Sequence, residues 1–513
     1  MDEFPTHRDS ESRQQRRRTA TSPTVSRSDA HLARTAIICA TIYFLHEFSD
    51  YVVMAPRLRL FELGFCREYY RVHDPSKIGD DGSVDEALCK HKAIQALVVN
   101  YRGWQLALNA IPGILSIPLS YRSNKYGRKR YMALALVGNV LYLAWTHLAL
   151  YMHTIVPTSA VISASAFLLI GGGPAVVDTM ASSIMSDVST QSQLTTRFSW
   201  ILGSFFLAEM LGPAVSAPLQ SWSPWAPAFV AISALICAGL LLYTFPETIH
   251  AARRSKTRRL GDEDAETGEE PTWKSLKPAQ WRQLLLPLSV FLVSPLRNTV
   301  VEITTQYVSK KFGIKLSSSA FLTSLIGIYS FIFYIGILPP LRAFWEKRSG
   351  TPSVKIDHSL TKFNLGANSI GALLIGASPS ILCLAMAALV FTTGTGVRVT
   401  WLPVLIACVD VSSVATLCAA ASVIEYFGVL AFSPLLALAT STGFGFEGTL
   451  TGLPFFSVSV LYLAGLTVVT LFPPRPLSLA ATRQSDSIGG SSSTPDSDDD
   501  VVTASGRAAL LEG

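Results

Sequence analysis

The chain has 513 residues, enough for about three soluble domains at roughly 150 residues each. Only 15% of its residues are charged, against about 25% in soluble globular proteins; the net charge is +6 and the mean hydropathy +0.36. With apolar stretches of roughly 17–25 residues recurring along it, this composition excludes a cytosolic enzyme, a secreted disulfide scaffold and a disordered protein.

The N-terminal tail, residues 1–34, carries Arg8, Arg13, Arg16, Arg17, Arg18, Arg27 and Arg34. It shows no signal peptide, so the first span is expected to insert uncleaved. The Arg16–Arg18 run reads as a charge retaining the tail in the cytoplasm, and no nucleic-acid role is expected of it. Residues 35–246 form a first half with spans at 35–56, 94–120, 131–151, 159–185, 197–219 and 225–245. The long outer loop at 57–93 holds seven basic and seven acidic residues, with Cys66 and Cys89 placed to form a disulfide on the oxidising side; two free thiols are the alternative. Cys39, Cys237, Cys383, Cys408 and Cys418 fall in spans and read as packing residues.

A linker at 247–283 passes from a basic run to Asp262-Glu263-Asp264-Ala265-Glu266. The second half, 284–473, has spans at 284–307, 317–341, 360–378, 380–403, 411–438 and 450–473; only Ala377-Ser378-Pro379-Ser380 parts the third and fourth. The tail at 474–513, rich in Ser, Asp and Gly, is predicted to be a disordered cytoplasmic segment. Lipid offers no partner for a free N–H or C=O, so the spans must be helical. The predicted fold is an all-α integral membrane protein of twelve transmembrane helices in two six-helix halves. Basic residues crowd the loops after spans 2, 6 and 8, and the outer loops after spans 3, 5, 9 and 11 have none. Both termini are therefore expected in the cytoplasm.

Ionisable residues at membrane depth cost about 2.5–3.5 kcal/mol, which marks them as functional candidates. Span 1 has Glu47 and Asp50 beside His46, span 4 Asp178, span 5 Glu209, span 7 Arg297 and Glu302, span 10 Arg398 and span 11 Glu425. Arg102 and Asp50 also suit snorkelling to the interface. Glu209-Met210-Leu211-Gly212 and Glu425-Tyr426-Phe427-Gly428 repeat E-x-x-G in equivalent helices of the two halves, with Pro213 and Pro434 following. Such half-repeats place a substrate site near the midplane. A carboxylate there moves cheaply only once a proton or a cationic partner neutralises it. Close helix packing at the glycines is the competing reading. Gly171-Gly172-Gly173 lacks the following Lys-Ser/Thr of a phosphate loop and reads as a kink or close-packing point. No ATP-binding motif, metal cluster or catalytic constellation emerges, so neither an enzyme nor a cofactor is expected.

Between spans 2 and 3 stands Ser120-Tyr121-Arg122-Ser123-Asn124-Lys125-Tyr126-Gly127-Arg128-Lys129-Arg130. This resembles the G-x-L-A-D-R-x-G-R-K-R signature of the major facilitator superfamily, in the same inter-span loop. Ile170-Gly171-Gly172-Gly173-Pro174, Ser186-Asp187-Val188, Phe245-Pro246-Glu247-Thr248 and Gln306-Tyr307-Val308-Ser309-Lys310-Lys311-Phe312 are similar to a fungal branch of drug- and secondary-metabolite-transporting members. The resemblance implies a cytoplasmic gating loop built from Asn124, Lys125, Gly127, Arg128, Lys129 and Arg130. In the family pattern an Asp latches to an Arg of span 4. Here that Asp is Asn124 and span 4 has no Arg, so an amide hydrogen bond from Asn124 is the expected substitute.

The expected activity is proton-coupled export of a small organic molecule, a secondary metabolite, toxin or drug, by alternating access. A proton-coupled importer of a nutrient or organic anion is the alternative, with Arg297 and Arg398 receiving a carboxylate; a receptor on a transporter scaffold is a remote one. The expected partners are the substrate, protons and the lipid bilayer. A monomer is expected, in the plasma membrane or, alternatively, the vacuolar membrane.

Overall fold

The computed structural model describes residues 27–80, 82–189, 194–244, 278–351, 353–409, 414–446 and 448–473. The tails at 1–26 and 474–513, most of the 247–283 linker and the Phe245-Pro246-Glu247-Thr248 segment lie outside the described residues. All regular secondary structure among the described residues is helical. Among the described residues, ten stretches are long and apolar enough to cross a bilayer. The two expected spans not among them, 94–120 and 360–378, are helical at Lys92–Ile114 with Ser116–Tyr126, and at Ser353–Ala377. Their mean hydropathy falls short because they turn polar side chains inward: Gln95, Arg102 and Gln105 in one, and Asp357, Asn364 and Asn368 in the other, are all buried. The chain is a multi-pass membrane protein.

Span 1 corrects the expected boundary of the first outer loop. Its helix runs from Arg27 to His73, so 57–73 is helix rather than loop. Pro56 removes one helix hydrogen bond, but burial on the far side of it outweighs that loss. Leu58, Leu60, Phe61 and Phe65 pack into an apolar cluster with Ile94, Val98 and Leu150. Glu62, 2% exposed, takes Arg59 (2.8 Å), Lys90 (2.8 Å) and Gln95 (2.6 Å). Cys66 and Cys89 are joined by a disulfide that closes this extension onto the start of span 2.

Spans 4 and 10 are both broken at glycines. Span 4 passes from a 3-10 stretch, Thr158–Leu169, to the α-helix Gly173–Asp187. Gly171 and Gly172 between them hold φ of 100° and 84°. A Cβ on Gly171 would also lie 2.5–2.8 Å from the backbone of Leu134 and Ala135, so the site admits only glycine. Span 10 breaks likewise between Ile381–Thr393 and Val397–Ile406. In each case the break precedes a charged residue, Asp178 or Arg398. Between spans 9 and 10 the Ser380 hydroxyl caps the new helix by accepting from Cys383 N–H (3.3 Å).

Each half has its own core. Cys39, Ile42, Met132, Met180 and Ile184 centre the first, and Phe291, Tyr307, Trp401, Phe455 and Tyr462 the second. Leu134, Val137, Leu141 and Leu148 stay exposed on one face of span 3, as a lipid-facing stripe requires. The halves meet where span 2 packs on span 11 and span 5 on span 8. At the expected outer end, Lys92 Nζ donates to Gly445 O (2.9 Å), Leu316 N–H to Glu86 Oε1 (3.2 Å), and Lys310 Nζ to Lys90 O. These hydrogen bonds tie the two halves together at that end.

Candidate functional site

A cavity of about 520 Å³ lies between the halves, within the range of small-molecule sites. The first half contributes Tyr43, His46, Glu47, Asp50, Arg57, Arg102 and Asp178 to its walls. The second contributes Arg297, Tyr334, Arg398, Glu425 and Tyr426. Charges at this depth must find partners, and the arginines have done so. Arg57 pairs with Asp50 at 3.3 Å within span 1. Arg398 pairs with Glu425 within the second half. The other two pairs cross between the halves. Glu209, with no exposed surface, accepts from Arg297 Nη2 through both oxygens at 2.5 Å. Glu302 takes Arg102 Nη2 at 3.1 Å and also Arg102 Nε.

The Arg297 guanidinium lies over Phe205 and Phe206, 5.5 and 5.9 Å from the ring centres. Phe206 in turn stacks on Tyr334 of span 8 at 5.4 Å. This seam joins spans 5, 7 and 8 just beside the cavity.

Glu47 and Asp178 differ from the rest: no arginine or lysine pairs with either among the described residues. Glu47 has only His46, whose Nδ1 lies 3.2 Å from Glu47 Oε1. Asn139 Nδ2 donates to His46 Nε2 (2.9 Å), so the neutral ring with its proton on Nδ1 satisfies both contacts. Asp178 sits beside Tyr43, and its Oδ1 is buried without a hydrogen-bond partner.

Of the eight residues singled out in the sequence, Glu47, Asp50, Asp178, Arg297, Arg398 and Glu425 line the cavity. Glu209 and Glu302 stand directly behind it, each holding an arginine that lines it. The E-x-x-G repeats serve two ends at once: the acids pair, and the glycines pack. A Cβ on Gly212 would fall 2.6 Å from Tyr51, and one on Gly428 would collide with Leu292.

Arg102 does not snorkel; it is buried and bonded across the halves. Arg57, which the sequence pattern places in a loop, also lines the cavity. In the 120–130 segment, the side chains of Asn124 and Lys125 lie outside the described residues. Gly127 turns the chain at φ 103°, Arg128 pairs with Asp187 at the end of span 4 (2.7 Å), and Lys129 Nζ donates to Tyr243 O (3.2 Å). Span 4 thus supplies an acid to the loop's arginine, the reverse of the family's polarity. Its signal was present in Ser186-Asp187, an acid closing an apolar span.

The chain belongs to the major facilitator superfamily, whose family model matches residues 99–416, well over half of it. It is similar to the MFS efflux pump atnC of Emericella nidulans, at 27% identity over 89% of this chain and 91% of that one. It is also similar to the efflux pump ustT of Aspergillus flavus, at 26% identity over 85% and 87%. Among solved structures, the partially occluded inward-open xylose transporter XylE of E. coli aligns with a TM-score of 0.57 at 15% identity, covering 87% of this chain and all of that one; this likeness is one of fold. The protein is a membrane transporter and not an enzyme.

Proposed function

We propose that this chain is a proton-coupled exporter of a small organic molecule, working by alternating access. The observation that carries the reading is the pair Glu47 and Asp178, which face the cavity with no arginine or lysine partner while every arginine lining it is paired. Among the described residues neither acid has an arginine or lysine beside it: Glu47 has the His46 ring and Asp178 a hydrogen bond from Tyr43, and an ionised carboxylate at membrane depth costs about 2.5–3.5 kcal/mol. A proton or a cationic group removes that cost, so the halves reorient when the acids are neutralised and resist when they are bare. If protons and substrate take turns at these acids, each turnover exchanges one for the other, which is antiport. Glu209–Arg297 and Arg102–Glu302 act beside them as latches between the halves, holding the arrangement in which the expected outer end is tied across them.

Twelve spans in two halves, 35–246 and 284–473, both termini in the cytoplasm, a plasma-membrane location and a monomer complete the reading. Export is supported by the efflux pumps among the relatives. Uptake of an organic anion is the competing reading, and it is favoured by the Arg398 side chain, 48% exposed in the cavity wall. Deleting the gene in its native organism separates the two. Export predicts that some compound accumulates in the cells and disappears from the medium; uptake predicts the opposite shift, and that result would overturn the proposal.

A further inference from the structure

We infer that the transported molecule is amphoteric: an ammonium group docks on Glu47 and Asp178, and a carboxylate or comparable oxyanion docks on Arg398. The inference rests on the transporter reading of the cavity and deepens it by naming the substrate's charge pattern.

Two opposed features of one cavity carry it. On the first-half wall, the carboxylates left without arginine or lysine are Glu47 and Asp178, and an Asp178 oxygen is buried with no hydrogen-bond partner. An ammonium supplies up to three donors and a full positive charge to such a pocket. On the facing wall, Arg398 spends one Nη on Glu425 and the other on Ser422 Oγ (3.3 Å). A guanidinium has five N–H donors, so some remain for a ligand. A merely structural pair would be dry, as Glu209–Arg297 is, with side-chain exposures of 0% and 9%. The Arg398 side chain is instead 48% exposed, in the cavity wall.

The two poles are close enough for the charges of Asp178 and Arg398 to interact. A simple organic cation would satisfy the acidic wall but leave the spare Arg398 donors unused. A simple anion would meet the reverse conflict at Glu47 and Asp178. Only a molecule with both charges meets attraction on both walls, and the apolar part of the cavity lining, Leu202, Phe205, Tyr426 and Val429 among it, takes its body.

The test uses the purified full-length protein in nanodiscs and three matched probes: an aromatic dipeptide, its C-terminal amide and its N-acetyl derivative. Binding is read by calorimetry. The free dipeptide is expected to bind at least about tenfold tighter than either derivative. Asp178→Asn should erase its advantage over the N-acetyl form, and Arg398→Gln its advantage over the amide. Glu47→Gln serves in place of Asp178→Asn if that variant does not elute as a monodisperse species. Equal binding of all three probes, tighter binding of a singly charged derivative, or binding of none overturns the inference. Its failure is distinguishable from that of the exporter reading. The binding preference without any flux driven by a pH gradient would remove proton coupling and leave the amphoteric substrate standing; flux without the preference would do the reverse.

Discussion

Glu209→Gln and Arg297→Gln each leave one buried charge without its partner. Removing one member of a buried ion pair costs about 3–5 kcal/mol. Glu209 is wholly buried and takes Arg297 through both oxygens, which puts the pair in this class. The two variants should not be equal. In Glu209→Gln the stranded guanidinium cannot lose its proton, but it keeps the faces of Phe205 and Phe206, worth about 0.5–2 kcal/mol. In Arg297→Gln the stranded carboxylate can be neutralised by a proton, so its loss should shrink in acid. The double variant strands nothing and should recover most of either loss, giving a coupling energy of about 2 kcal/mol or more.

Because the pair spans the halves, part of this energy belongs to the conformational equilibrium. A loss of about 3 kcal/mol changes a population ratio by more than about a hundredfold. Unfolding in detergent measures the first quantity. Spin labels at Val72 and Leu450, both exposed, with Cys237 and Cys383 replaced, measure the second. The labels are expected to move apart in the single variants and return in the double. Single variants within about 0.5 kcal/mol of the parent, with an unchanged label distance, would refute the latch.

Three further outcomes follow from the same geometry. Arg128→Glu should weaken the joint between the 120–130 segment and span 4, and adding Asp187→Arg should restore thermal stability and transport; no rescue by charge reversal would discard the pair. Gly171→Ala should cost about 1–3 kcal/mol from its φ of 100° alone, more from the collision with Leu134 and Ala135, and should show as lost folded yield, whereas Gly203→Ala, with open space around it, should be neutral or slightly stabilising. Cys66→Ser with Cys89→Ser should remove about 3 kcal/mol, as expected for a ring of this size, and reductant should lower the parent's melting temperature to match.

Charge in an apolar run is a strong local signal, and it is why Glu47, Asp178, Arg297, Arg398 and Glu425 stand out as candidates from the sequence alone. Their pairing could not be read. Glu209 and Arg297 are 88 residues apart and Arg102 and Glu302 200, and no periodicity links such positions. The repeat E-x-x-G singles out both acids, but it does not show that one pairs across the halves and the other within its own. Proline and the charges after it look like a loop, so the sequence pattern ends span 1 at Pro56; its continuation to His73 depends on Glu62 and a packed cluster contributed by distant helices. Arg102 is ambiguous in the sequence for a related reason. Its place near a span end suits snorkelling equally well, and only the position of span 7 decides between them.

The most direct measurement is flux in inside-out proteoliposomes with an acidic lumen, using the compound identified by gene deletion, for the parent, Glu47→Gln and Asp178→Asn. The account predicts lumenal accumulation that collapses with the pH gradient in the parent, and loss of that dependence in both variants. Accumulation that ignores the gradient in the parent, or that follows it undiminished when both acids are amides, would contradict it.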